Sequence, residues 1–354
     1  MIHSPNQQLV SLLRPQLHAL AQRIADRLIA QSPADQHWLV EAALAEQWVD
    51  IPSLLLYLTE AIALDDRSLL ADYLAWANTW LTAHGLPRGY MQVLLEQMAT
   101  VLRQALPCES QPPLAAYLRL GQEIREGAPG MQSLIRSEAP LGPLAEQYLQ
   151  ALLHGERHRA SRLVLDAARS GVSIKAIYLQ VFQVAQREVG RLFQVKQATI
   201  AEEHYCTAAT QLIMGQLSSF VFGTERVGRS MVAAAVVGES HDIGIRMVAD
   251  FSEMEGWDTY YLGANTPVAA IVEAILERKA TLLALSVTTS IHVGLAATAI
   301  EAVRAASPGV RILVGGYPFL VSPELWKRVG ADGSASDAEE AVRAARELVT
   351  GVAP

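Results

Sequence analysis

The stretch MVAAAVVGESHDIG, Met231 to Gly244, decides the fold. Its first seven residues are small and apolar, too few to span a bilayer and suited to a strand buried on both faces of a parallel sheet. Gly238, Glu239, Ser240, His241 and Asp242 follow, and then apolar residues at helical spacing: Ile245, Val248, Phe251 and Met254. The chain therefore leaves a strand, turns, and enters a helix. Ligands of open α/β sheets sit just beyond the carboxyl ends of the strands, and His241 falls there.

From this stretch to the C-terminus the pattern alternates. Strands are expected at 231–237, 258–262, 282–287, 311–315 and 333–335, and helices at 242–255, 267–278, 292–306, 322–329 and 337–349. Such βα repeats specify an α/β doubly wound parallel sheet, Rossmann-like in layout. Dinucleotide binding does not follow, because the first turn, GESHDIG, lacks the G-x-G-x-x-G cradle.

Upstream, apolar periodicity predicts helices at 144–154, 156–170, 174–193 and 200–220, which pack most simply as a four-helix bundle. Pro107, Pro112, Pro113, Pro129, Pro140 and Pro143 break the segment before it, leaving one helix near 114–126. Residues 8–105 read as helices throughout and hold Trp38, Trp48, Trp76, Trp80, Tyr57, Tyr73 and Tyr90. Core packing accounts for these rings, and a helical pocket for a flat chromophore is the alternative. The expected organisation is a helical domain over 1–127, a linker over 128–143, a bundle over 144–225 and a sheet domain over 230–354.

Composition narrows the function. With 51% hydrophobic and 18% charged residues there is ample core material, and a net charge of −8 argues against binding nucleic acid directly. No run reaches the length of a membrane span, and the start MIHSPNQQ lacks signal-peptide character, so a cytoplasmic protein without a membrane partner is expected. Cys108 and Cys206 form no CxxC pair. No Ser-His-Asp, paired-carboxylate or Cys-His arrangement supports independent catalysis, so the chain is not expected to be an enzyme by itself.

Glu239-x-His241-x-x-Gly244 resembles the Asp-x-His-x-x-Gly signature of cobalamin-binding domains, in which the His is the lower ligand of cobalt. A neutral imidazole suits such a metal, and a carboxylate two residues away can accept its other N–H. The resemblance extends along the domain. The second strand ends in the family-like Leu262-Gly263-Ala264-Asn265-Thr266-Pro267; Leu285-Ser286-Val287-Thr288-Thr289 follows the third and Gly315-Gly316-Tyr317 the fourth, where the family's hydroxyls and paired glycines hold the displaced nucleotide tail. It implies cofactor contacts from Glu239, Ser240, His241, Asp242, Ile243, Gly244, Leu262, Gly263, Ser286, Thr288, Gly315, Gly316 and Tyr317, with His241 on the metal.

The bundle is similar to the cap of cobalamin-dependent light-sensing repressors of the CarH-like kind. Phe193 and, ten positions on, Glu203-His204 stand where that family carries a Trp and a Glu-His pair above the corrin. Phe193 departs towards the caps of methionine synthases, and Gln194 stands where the prototype light sensor has the His that captures cobalt after photolysis. The whole arrangement resembles the photocobilins, which pair cobalamin with biliverdin behind a globin-like helical domain. Arg67, Tyr73, His84 and Arg88 are candidate bilin contacts, and His84 is also a candidate haem ligand.

These resemblances imply an adenosylcobalamin photoreceptor. It would signal by cobalt–carbon photolysis through altered packing, a light-dependent homo-oligomer, or a protein output partner. The rival is a corrinoid protein carrying methyl groups in a methyltransferase system.

Overall fold

The computed structural model describes residues 6–31, 50–87, 89–120 and 132–351. Trp38, Trp48 and Arg88 lie outside them. The chain divides near residue 130 into two compact units.

The N-terminal unit is all-α. Its described helices are α1 (Gln7–Leu13), α2 (Leu17–Gln31), α3 (Ile51–Leu64), α4 (Arg67–Ala83), α5 (Tyr90–Ala105) and α6 (Gln111–Leu118). Asp50 and Asp66 cap α3 and α4 by accepting from the N–H groups of Ser53 and Ser68. Leu13, Ile24, Leu55, Leu58, Ile62, Ala77 and Leu102 are among the residues of a single core. The aromatic rings pack on one another within it. Tyr57 stacks on Tyr73 at 3.6 Å between centroids, and Trp80 on His84 at 3.7 Å. His84 Nδ1 is 2.8 Å from the Trp80 carbonyl. The helix expected near 114–126 starts earlier, at Gln111, because Pro112 and Pro113 fit a first turn, whose N–H groups have no helical partner.

The second unit begins with α7 (Gly142–Leu153) and α8 (Arg157–Arg169). Then comes α9, made of Ile174–Ile177, the π segment Tyr178–Phe182 and Gln183–Gln194. It is followed by α10 (Ile200–Gln216) and the short α11 (Ser218–Val221). Leu217 interrupts the helix expected to run to 220. Thr199 and Glu202 close a reciprocal capping box at the start of α10.

The sheet follows: β1 (Ser230–Val236), α12 (Ile243–Met254), β2 (Asp258–Thr266), α13 (Val268–Arg278), β3 (Leu282–Ser286), α14 (Val293–Ala306), β4 (Arg311–Gly315), α15 (Tyr317–Val321), α16 (Leu325–Arg328), β5 (Gly333–Ala335) and α17 (Ala338–Thr350). The five strands pair in parallel in the order β2-β1-β3-β4-β5, a doubly wound sheet that changes direction between β1 and β3.

Two local expectations are corrected. The second strand does not stop at Leu262. It continues through Gly263 to Thr266 with two register shifts against β1, so Leu262 and Gly263 lie inside a bulged strand. The helix expected at 322–329 is instead two short ones: α15 opens at Tyr317, which is 49% exposed, and α16 covers only Leu325–Arg328.

Alternation sorts the sheet faces. Met231, Ala233 and Ala235 of β1 share a core with Ile245 and Ala249 of α12 and with Ala341 and Ala345 of α17. The opposite faces of those two helices, through Met247, Phe251, Ala338 and Val342, enter the core of α7–α10. Helix α12, which opens directly after His241, is thus buried against the sheet on one side and the helical layer on the other. Among the described residues no helix is long and apolar enough to cross a membrane.

Candidate functional site

The direction change between β1 and β3 opens a crevice at their carboxyl ends. The β1 turn places Glu239 and His241 there, and the β3 loop brings Thr288, Thr289 and His292 to meet them. Ladder pairing holds Ser286 level with Ala235 on one side and Gly315 on the other.

Glu239 is fully buried, yet it is a carboxylate with partners on both oxygens. Oε1 lies 2.5 Å from His241 Nδ1 and accepts the His241 backbone N–H at 3.1 Å. Oε2 accepts the N–H groups of Thr288 and Thr289 at 2.8 and 2.9 Å and lies 3.3 Å from His292 Nδ1. Burial alone would raise its pKa. The bonds from His241 and His292 and from the Thr289 N–H outweigh burial and hold the group well below the usual carboxylate range. His241 is shifted upward, chiefly by the Glu239 bond, with smaller contributions from Glu203 and Asp242.

The His241 side chain is 54% exposed, whereas that of Glu239 is 1% exposed. With Nδ1 committed to the buried carboxylate, Nε2 is the nitrogen presented to a ligand. A carboxylate that holds one ring nitrogen in this way orients an imidazole whose other nitrogen can bind a metal. Among the described residues no group of three or more His, Cys, Asp or Glu side chains could hold an ion. A single oriented imidazole suits a metal that brings its remaining ligands with it, as cobalt in a corrin ring does.

The other expected residues sort by their contacts. Asp242 is engaged with protein: Oδ1 accepts Gln211 Nε2 at 2.6 Å from α10, and Oδ2 accepts the Tyr261 hydroxyl at 2.7 Å. Ile243 packs against the helical core. Ser240 and Gly244 are exposed, and nothing lies within 4 Å of where a Gly244 Cβ would be. Ser286 is buried, while the backbone of Thr288 serves Glu239. Gly316 (φ 113°) lies against the Val287 carbonyl, and the Gly315 carbonyl accepts the Val287 N–H between β3 and β4.

On α10, Glu203 Oε2 is 2.7 Å from His204 Nδ1, and Oε1 accepts the Thr207 hydroxyl. Glu203 is the member of this pair whose charge reaches His241, while the His204 side chain is 69% exposed. Phe193 is half-buried at the end of α9. Cys206 is buried, and its thiol is pushed up to about 12 by that burial and then by Glu203 and Glu202, so it stays protonated.

The reading of the sequence assigns no role to Asn265, although it lies in the family-like end of β2, nor to His292. Asn265, at φ 49°, accepts the Gly238 N–H at 2.7 Å and donates its own N–H to the Glu239 carbonyl at 2.8 Å, clamping the β1 turn from β2. His292 completes the shell of Glu239. A polar residue opening the helix after β3 was the available signal for it.

Comparison with known proteins agrees with this geometry. Residues 229–346 match the family profile described as B12 binding domain, and residues 144–218 match a second profile of that description. In class, then, this is a cobalamin-binding protein: a B12-binding sheet domain behind a B12-binding helical module.

More particularly, the chain is 24% identical over 217 residues to dimethylamine corrinoid protein 3 of Methanosarcina acetivorans, covering 60% of this chain and 99% of that protein. It is 30% identical over 131 residues to dimethylamine corrinoid protein 2 of the same organism, spanning 36% of this chain and 59% of the relative. The monomethylamine corrinoid protein of Methanosarcina barkeri superposes with a TM-score of 0.52 at 22% identity, over 59% of this chain and 99% of that one, and so shares the fold.

Proposed function

We propose that this chain is a corrinoid protein that carries a methyl group between methyltransferases. The observation that carries the reading is His241, exposed at the strand ends with Nδ1 held by a buried carboxylate 2.5 Å away. What selects methyl carriage over light sensing is the kinship with amine corrinoid proteins, together with Phe193 in place of a Trp.

When bound, cobalamin supplies a cobalt centre able to accept and release a methyl group. The chain supplies the rest. His241 Nε2 would hold the cobalt, with Glu239 keeping the proton on Nδ1. The bulged end of β2, Ser286 and the Gly315-Gly316 pair lie at the same ends of adjacent strands and would flank the nucleotide tail. Helix α10 brings the charge of Glu203 to bear on His241.

Light sensing with adenosylcobalamin is the second reading, favoured by the Glu203–His204 pair. Biliverdin in the N-terminal unit belongs to it, although the rings expected to hold a pigment stack on each other instead.

The readings separate in one pair of measurements. Protein loaded with methylcobalamin, given a corrinoid:thiol methyltransferase and a thiol, should be demethylated. Protein loaded with adenosylcobalamin should keep its gel-filtration size on illumination. A light-dependent change in size without methyl transfer overturns the carrier reading.

A further inference from the structure

His292 is the second side chain on the Glu239 carboxylate after His241, and it comes from the β3 loop. It ends the short turn Ser290–His292 at the start of α14, with its side chain 18% exposed. Nδ1 addresses Glu239 Oε2 at 3.3 Å. The opposite edge of the ring lies over the β1 turn: a Cβ on Gly238 would come within 3.2 Å of His292 Nε2. Gly238 has φ 82° and, lacking a Cβ, lets the imidazole settle there.

The two oxygens of Glu239 therefore face two different loops. Oε1 serves the β1 turn through His241, and Oε2 serves the β3 loop through Thr288, Thr289 and His292. The glutamate has one methylene more than the aspartate of the family signature it resembles, which suits a group that must bridge this gap. A carboxylate engaged at one oxygen can rotate about its terminal torsion, which is broad. Engagement at both oxygens removes that freedom. The backbone donors fix where Oε2 sits, and the imidazole closes the remaining side and fills the space above Gly238.

We propose that His292 is a positioning residue that locks Glu239 across the switch point, so that a His292–Glu239–His241 chain sets the orientation and tautomer of the imidazole offered to the corrinoid. This rests on the reading of His241 as the ligand-facing histidine. It adds a member to the site that neither the strand-end motifs nor the short spacing of Glu239 and His241 indicates.

The test uses the full-length chain with and without hydroxocobalamin. In the cofactor-free protein labelled with ¹⁵N-histidine and held at alkaline pH, where the imidazole is neutral, the resonances lost in His241→Ala identify His241, which should show one tautomer with the proton on Nδ1. His292→Ala, and His292→Phe, which retains a ring but no donor, should move those shifts towards the tautomer average. The same variants should weaken hydroxocobalamin binding roughly tenfold or more, the scale typical of lost outer-shell partners. His292→Gln, which can donate to Glu239, should recover the tautomer and most of the affinity.

His292→Phe carries the test if the alanine variant fails to fold. A folded His292→Phe protein with parental His241 shifts and parental affinity overturns the proposal. A parent that binds no hydroxocobalamin sinks the corrinoid reading instead, and the cofactor-free spectra still decide the role of His292.

Discussion

Glu239 shows how much one side chain can organise when it is buried with its charge. Its removal strands the N–H groups of Thr288 and Thr289 and the imidazoles of two histidines. Unsatisfied buried donors cost about 1–3 kcal/mol each, so Glu239→Ala should destabilise the sheet unit by roughly 3 kcal/mol, read from hydrogen exchange of the β1 amides.

The pair also sets a pH window. Glu239 is lowered from 4.5, so its contribution is present above that value and is lost as pH falls through the folded pKa. His241 is raised from 6.5, so its contribution is present below that value and is lost as pH rises through the folded pKa. In the cofactor-free protein the pair should stabilise most between these limits, and a stability profile of His241→Ala should lack the fall on the alkaline side. Gly316 is a second single-residue constraint. At φ 113° and ψ 176° it occupies backbone space essentially reserved for glycine, and an added Cβ would meet the Val287 carbonyl oxygen at 1.8 Å. Gly316→Ala should cost about 3 kcal/mol or more and disturb the β3–β4 edge, visible as lost protection at Val287.

At the scale of elements, α12 joins site to helical layer because both its faces are buried. Phe251 is fully buried between α12 and the helical core and lies 5.9 Å from the Tyr178 ring, centroid to centroid. Phe251→Ala should cost about 3–5 kcal/mol, and chemical denaturation monitored in the helical layer should detect it. Polar links run beside this contact. The Tyr178 hydroxyl donates to Asp250 at 2.8 Å, and Lys175 pairs with Glu255 at 2.5 Å. Gln211 reaches Asp242, one residue from His241.

Burial, more than the opposing Tyr178 and Arg246 contacts, raises the Asp250 pKa above 3.8. The folded state therefore holds this proton more tightly than the unfolded one, and the contribution fades as pH rises through the folded pKa. Asp250→Asn keeps an acceptor for Tyr178 but no titration. The stability of the parent relative to this variant should decline as pH rises above 3.8 in parallel denaturation series.

For the whole molecule, the N-terminal unit has a core of its own helices, while in the second unit α12 and α17 link the core of the helical layer to that of the sheet. A ligand held at the strand ends stabilises what it binds. At a hundredfold excess over its dissociation constant cobalamin should add about 2.7 kcal/mol to the second unit. Hydrogen exchange with and without hydroxocobalamin should show the added protection in α12, β1 and β3. The helices α3–α5 should keep their cofactor-free protection. Equal protection of both units would contradict a site confined to the strand ends.

The order of elements was legible along the chain because buried parallel strands are short apolar runs and amphipathic helices repeat every three to four residues. His241 was legible because the turn after a central strand lies at the ligand-binding edge of any doubly wound sheet. Glu239 was readable as its partner because two residues of spacing suffice for contact. The tertiary structure decided what depends on distance through space rather than along the chain. It placed β1 beside β3, carried β2 on to Thr266, and brought His292, fifty-three residues from Glu239, onto the same carboxylate. A sheet's crossover order is settled by how helices cover both faces, and no local pattern records which loop will close over a given turn.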